Sequence, residues 1–195
     1  MALEYTNRRG QRYYVLQGLT KTGKPKYYCA RKPGRVAVGE LPPGFEIYEH
    51  PQSALVSIRK IKPSRVLACE VEFLEAQVRK LAGIEHFIID RQPNALVIYV
   101  CDSDPRQLNS VFEKLCGPLG SRAESNRQWI LQNASYSPMF RFTLGNETER
   151  LFHLHRWCYR GAIDGWFPLS PDRPLDELAA DYLPHLGQES YFELM

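Results

Sequence analysis

Residues 11–32 read QRYYVLQGLTKTGKPKYYCARK, and how this stretch folds decides how the front of the chain is organised. Arg12 to Leu19 is rich in Tyr, Val and Leu, as strands are. Lys26 to Lys32 sets Tyr27, Tyr28 and Cys29 among basic residues, and Thr20 to Pro25 supplies turn chemistry between the two runs. The pattern predicts a β-hairpin, with Gly23 as the residue able to take positive φ in its turn.

The same stretch contains Gly18-Leu19-Thr20-Lys21-Thr22-Gly23-Lys24, which has the glycine spacing and lysine of a phosphate-binding GxxxxGK[ST] loop. The match ends there. Pro25 brings neither a hydroxyl for magnesium nor a backbone N–H. Tyr27-Tyr28-Cys29 then continues as a strand where the mechanism requires a helix N-terminus. A nucleotide loop is therefore not expected.

Charge is divided along the chain. Residues 1–65 hold 13 Lys and Arg against 4 Asp and Glu, and residues 66–195 hold 12 against 18, which leaves a net charge of only +3. A basic front third of this kind suits a polyanion, or an acidic surface on a partner or on the rest of the chain. Arg8, Arg9 and Arg12 precede the hairpin, Lys21 and Lys24 sit at its tip, and Lys26, Arg31, Lys32 and Arg35 follow. Cations that track a backbone, together with aromatics that stack on bases, are what single-strand binding requires, and a two-stranded ribbon also fits a duplex major groove.

Each tyrosine pair puts one ring on either face, so either Tyr14 and Tyr28 or Tyr13 and Tyr27 point outward. The expected contact set is Arg8, Arg9, Arg12, Tyr14, Lys21, Lys24, Lys26, Tyr28, Arg31 and Lys32. The competing reading assigns half the tyrosines to packing and the cations to keeping a small hairpin soluble.

With 195 residues, 44% apolar and 12% aromatic, the composition is that of a globular protein. No apolar run reaches the roughly 18 residues of a membrane span, and residues 1–10 are polar, so a cytoplasmic location is expected. Cys29, Cys69, Cys101, Cys116 and Cys158 are widely spaced with no CxxC, which predicts reduced thiols. Nothing in the sequence calls for a cofactor.

Beyond the hairpin, Pro33 to Gly44 is a connector. Phe45 to Glu49 alternates as a strand expected to join the hairpin in a three-stranded sheet. Pro51 to Ile61 fits two readings: Val56, Ile58 and Lys60 alternate as a strand does, and Pro51 with Ala54, Leu55 and Ile58 also suits a short helix; the strand is the expected one. Arg65 to Leu81 has helical spacing, with Ser64 as the expected N-cap and Gly83 as the stop. His86 to Asp90 and Ala95 to Cys101 predict a hairpin, with Leu96 to Val100 covered on both faces. A helix beginning near Asp102 to Pro105 is expected to bury Leu108, Val111, Phe112 and Leu115, and to end at 117–120. Trp129 to Leu131, Met139 to Leu144, Arg150 to Tyr159 and Trp166 to Leu169 read as strands, Gly145-Asn146 as a turn, and 172–183 as a final helix before a short tail turn.

Three other constellations carry chemistry. His153 and His155 share one face of a strand, where two imidazoles suit a metal, but two ligands are not a site. Asp90, Asp102, Asp104 and Asp164 fall near strand ends as acid–base candidates, or as caps and turns. Cys158 or Cys101 with a distant His would make a nucleophile pair, without a local signature.

The resulting expectation is an α+β protein: a small basic N-terminal antiparallel β module, residues 1–62, followed by an antiparallel α+β domain with about three helices, residues 63–195. Its expected partner is nucleic acid or another polyanion. The rival readings are docking on an acidic protein and a metal-dependent enzyme using the His153 and His155 strand.

Overall fold

The computed structural model describes residues 2–34, 36–103, 105–117, 122–159, 161 and 164–194, and only the backbone of residues 106, 107 and 116. Expectations that fall on Arg35, on Asp104, on the side chain of Cys116 and on 118–120 lie outside the described residues. The fold is α+β, and all strand pairing is antiparallel. Its two compact units are Met1–Lys62 with Ser103–Ser135, and Pro63–Asp102 with Tyr136–Met195.

In the first unit, β1 (Glu4–Thr6), β2 (Arg12–Leu19) and β3 (Pro25–Ala30) form a sheet with β2 in the middle. The expected hairpin is β2–β3. Its third strand, however, is β1, and β4 (Phe45–Glu49) pairs with β5 (Val56–Lys60) in a separate ribbon. The short EYT run of β1 carries little strand signal of its own. It is ordered through β2, where Tyr5 lies opposite Tyr13 and Thr6 opposite Arg12. The β4–β5 ribbon packs on one face of the sheet, with Tyr27 edge-on to Phe45 at 5.2 Å and Tyr13, Val15 and Val56 buried.

Two helices complete this unit, α2 (Pro105–Cys116) and α3 (Ala123–Asn133), and α1 (Ala68–Gln77) belongs to the second unit. α3 corrects the strand expected at Trp129 to Leu131. A three-residue apolar run is ambiguous, and Ala123-Glu124 and Arg127-Gln128 around it favour helix. The apolar stripe of α2 is not buried: Val111, Phe112 and Leu115 are exposed. The two helices meet instead through polar groups, Asn126 donating to Asn109 at 2.7 Å and Asn109 to the carbonyl of Ala123.

The second unit is a five-stranded sheet in the order β10 (Gly165–Pro174), β9 (Leu151–Cys158), β8 (Tyr136–Asn146), β7 (Ala95–Cys101) and β6 (Phe87–Arg91). β7 and β8 are interior, and Ala95 to Tyr99 are all buried, as the continuous apolar run predicts. α1 (Ala68–Gln77), a π-type turn at Val78–Ala82 and α4 (Leu175–Tyr182) supply Leu74, Val78 and Leu178 to one core with Phe140, Phe142, Phe152 and Leu154. β8 extends through Gly145 and Asn146, so the chain turns after them, at 147–150.

The α1 cap differs from expectation. Ser64 bonds to Gln92 and Val66 instead, Leu67 holds the cap position, and the Glu70 carboxylate accepts the Leu67 N–H at 2.7 Å. Glu70 also takes the Arg150 guanidinium in a two-pronged pair, which ties the helix start to the β8–β9 turn. Gly83 ends the helical run in the left-handed conformation.

Candidate nucleic-acid interface

The geometry of β2–β3 sorts the tyrosines. Leu16 lies opposite Tyr28, Gly18 opposite Lys26 and Tyr14 opposite Ala30, so Arg12, Tyr14, Lys26 and Tyr28 share one face, while Tyr13, Val15 and Tyr27 share the other. The second face is the packed one. Tyr13 is buried there, whereas Tyr28 is 39% exposed and Tyr14 half-buried.

Gly18 makes room for the exposed ring. A Cβ at this position would stand 3.3 Å from Tyr28 Cε1, so the phenol lies across the glycine backbone. The middle of that face is closed by the connector, where Leu16 is buried beneath Gly34 and bridged to Ala37. Beside it runs an open, mostly apolar groove of about 410 Å³ lined by Gln17, Gly18, Leu19 and Val36, Ala37, Val38.

The hairpin tip is held by its own turn. The Lys24 N–H donates to Thr20 Oγ1 at 3.0 Å, the Gly23 N–H to the Thr20 carbonyl at 3.0 Å, and the two threonine hydroxyls meet at 3.0 Å. Gly23 takes φ +76°. These N–H groups point into the turn, so this segment has no phosphate cradle of the GxxxxGK kind. What it presents outward is the exposed side chains of Lys21 and Lys24.

The arginines expected to join them behave differently. The guanidinium of Arg8 pairs with Glu49 at 2.9 Å and donates to the carbonyls of His50 and Pro51, which makes it a tie between the segment after β1 and the β4–β5 ribbon. Arg9 is half-buried, with Nε shielded and without a hydrogen-bond partner. Arg12 stays exposed 3.6 Å from Glu4, and Arg31 donates to Gln11 at 3.0 Å while lying over the Tyr13 ring.

Three arginines of the front third are thus matched by carboxylates. Of the four carboxylates in residues 1–65, Glu4 pairs with Arg12, Glu46 with Arg59 and Glu49 with Arg8. Lys21, Lys24, Lys26 and Lys32 are exposed, and among the described residues none has a carboxylate partner. The sequence carried no signal that Glu49, one acidic residue in an alternating strand, would claim Arg8. The Val36 to Val38 edge had no sequence signal either, because a connector's pairing with β2 is a tertiary contact.

The other constellations do not assemble. His153 sits 3.2 Å from Asp172, and no group of three metal-ligating side chains comes together among the described residues. His155 is shifted below the ordinary histidine range by desolvation first, then by the charges of Arg141 and His153. Asp90 is buried and accepts from Gln92 at 3.0 Å, and Asp102 and Asp164 are exposed. Cys158 is buried, and burial pushes the Cys29 thiol up, opposite to what an activated nucleophile needs. Among the described residues no helix is long and apolar enough to cross a membrane. No family model, no curated protein and no solved structure matches the chain.

Proposed function

We propose that the β2–β3 hairpin binds single-stranded nucleic acid, with Lys21, Lys24, Lys26 and Lys32 meeting phosphates and Tyr28, flanked by Tyr14, offering a ring for base stacking. The observation that carries this reading is the partition of charge: three of the four local carboxylates pair with arginines, and these lysines stand exposed without one. Uncompensated cations beside an exposed aromatic satisfy both physical requirements for sequence-tolerant single-strand binding, counterion release and stacking. Lys26 and Tyr28 are two residues apart on one face, about 7 Å, so a base on the ring leaves its phosphate within reach of the lysine.

The test is fluorescence anisotropy of labelled single-stranded and duplex DNA and RNA over a salt series. Tighter binding of single strands, weakening steeply with salt, is expected. No binding at low salt removes the proposal, and binding only to an acidic protein partner would reassign the lysines to protein docking.

A further inference from the structure

In the second unit, far from the hairpin in sequence, Arg156, Trp157, Cys158, Tyr159 and Phe192 line a cavity of about 220 Å³. Arg156 is one of two described arginines of this unit, with Arg141, whose Nε is shielded and without a hydrogen-bond partner. Arg150 and Arg173 pair with carboxylates, and Arg91 donates to the Val66 carbonyl and to Ser64. The guanidinium of Arg156 makes no ion pair or hydrogen bond to any described residue, and its Nε is shielded from solvent. It is positioned by rings instead, 5.7 Å from the centroid of Phe167 and 6.0 Å from that of Tyr191.

Its shielded Nε has lost hydration that no described residue replaces, while the rest of the guanidinium remains open to a ligand. Its planar fork is also held in place by packing, which is the preorganisation a ligand would otherwise have to supply. At the cavity two further rings are open to solvent, Tyr159 at 52% and Phe192 at 65%. Phe192 in turn stands edge-on to the buried Tyr191 at 5.3 Å, so one wall is anchored to the core.

We infer that this cavity is a binding site for a small aromatic carboxylate, with Arg156 holding the carboxylate by its guanidinium fork and Tyr159 and Phe192 covering the ring. Carboxylate fits better than phosphate because Arg156 is the only cation among the described lining residues. One guanidinium matches a single planar negative charge, whereas a phosphate dianion calls for further donors. The volume suits a ligand of one ring and a carboxylate rather than a nucleotide.

Calorimetric titration of the full chain with benzoate, phenyl phosphate, benzyl alcohol and acetate tests this. Benzoate should bind saturably and more tightly than phenyl phosphate, and benzyl alcohol and acetate, which lack the charge or the ring, should bind at least about tenfold more weakly than benzoate. Arg156→Gln should weaken benzoate at least about tenfold, and Tyr159→Ala by several-fold, since each removes one half of the recognition. Absence of saturable benzoate binding, or tighter binding of phenyl phosphate, overturns the inference. So does unchanged affinity in Arg156→Gln. If Arg156→Gln fails to fold, Tyr159→Ala decides: it alters an exposed ring, and unchanged benzoate affinity in it rejects the site.

Discussion

The hydroxyl of Tyr191 donates to the carbonyl of Met139, 2.8 Å away, and so ties the 3₁₀ turn at Glu189–Glu193 to the interior strand β8. The same oxygen accepts the Trp157 N–H at 3.1 Å, and the ring, fully buried, packs on Phe140 at 5.2 Å. Tyr191→Phe keeps the ring but leaves two buried backbone groups short of a partner, at a cost of about 1–3 kcal/mol. Tyr191→Ala also opens a cavity and should cost about 3–5 kcal/mol. Urea unfolding should show lower midpoints for both, with the slope unchanged for the phenylalanine variant.

The phenol also predicts an alkaline limit. Burial, ahead of nearby charges, pushes Tyr191 well above the ordinary tyrosine range, so in the folded protein it stays protonated where the unfolded chain would ionise. The folded state then holds more protons, and stability falls as pH rises past about 10, the ordinary tyrosine value. Tyr191→Phe should flatten that alkaline decline when unfolding midpoints are measured through this range. An unchanged decline would assign it to Tyr5 and Tyr99, which are shifted the same way.

His155 sets the opposite limit. Its folded value lies below the ordinary 6.5, so as pH falls through 6.5 the unfolded chain takes up a proton that the folded chain does not. Stability should therefore decline on acidification below that point, and His155→Gln should reduce the slope of the urea midpoint between neutral and mildly acidic pH.

How far the sequence could be read depended on whether a signal was local. Phe45–Glu49 and Arg12–Leu19 are strands over the expected residues because alternation and turn chemistry act within the element. β1 and the helix containing Trp129 were not legible, since the first borrows its order from β2 and the second hides behind a three-residue apolar run. Periodicity along α2 identified the helix correctly but not what it faces: Leu115 is 77% exposed because α2 and α3 join through asparagines. In the candidate interface, composition located the lysines at the surface. It could not separate Arg8 from them, because only the folded β4–β5 ribbon brings Glu49 within 2.9 Å.

That separation is testable. Glu49 takes the Arg8 guanidinium and the Tyr5 hydroxyl at 2.9 Å each, and both ion-pair side chains are mostly shielded, at 18% and 14% exposure. Glu49→Ala removes the acceptor of the Tyr5 hydroxyl and the carboxylate partner of Arg8, and should destabilise the chain by about 2–4 kcal/mol. Arg8→Ala should be costly for the same reason. Substitution of exposed Lys21 or Lys24, by contrast, should stay within about 0.5 kcal/mol by the same denaturation measurement.

The lysines should reveal themselves in binding rather than in stability. Each phosphate contact to a single strand contributes about 0.7 to the slope of log affinity against log salt, so Lys21→Ala with Lys24→Ala should lower the slope by about 1.4 if both touch phosphate. Lys26→Ala should act the same way from the sheet face. Tyr28→Ala should behave otherwise: it removes a stacking ring and no charge, so affinity should drop by about 1–3 kcal/mol while the salt slope holds. Tyr28→Phe keeps the ring over Gly18 and should bind nearly as the parent does. Arg8→Ala, once its fold is verified, should leave the slope unchanged, because its charge is already matched by Glu49. The anisotropy salt series resolves all of these. A slope that falls with Arg8 but not with Lys21 and Lys24 would place the contact surface elsewhere on the chain. Loss of affinity in Tyr28→Ala together with a reduced slope would mean that the ring positions Lys26 rather than stacking on a base.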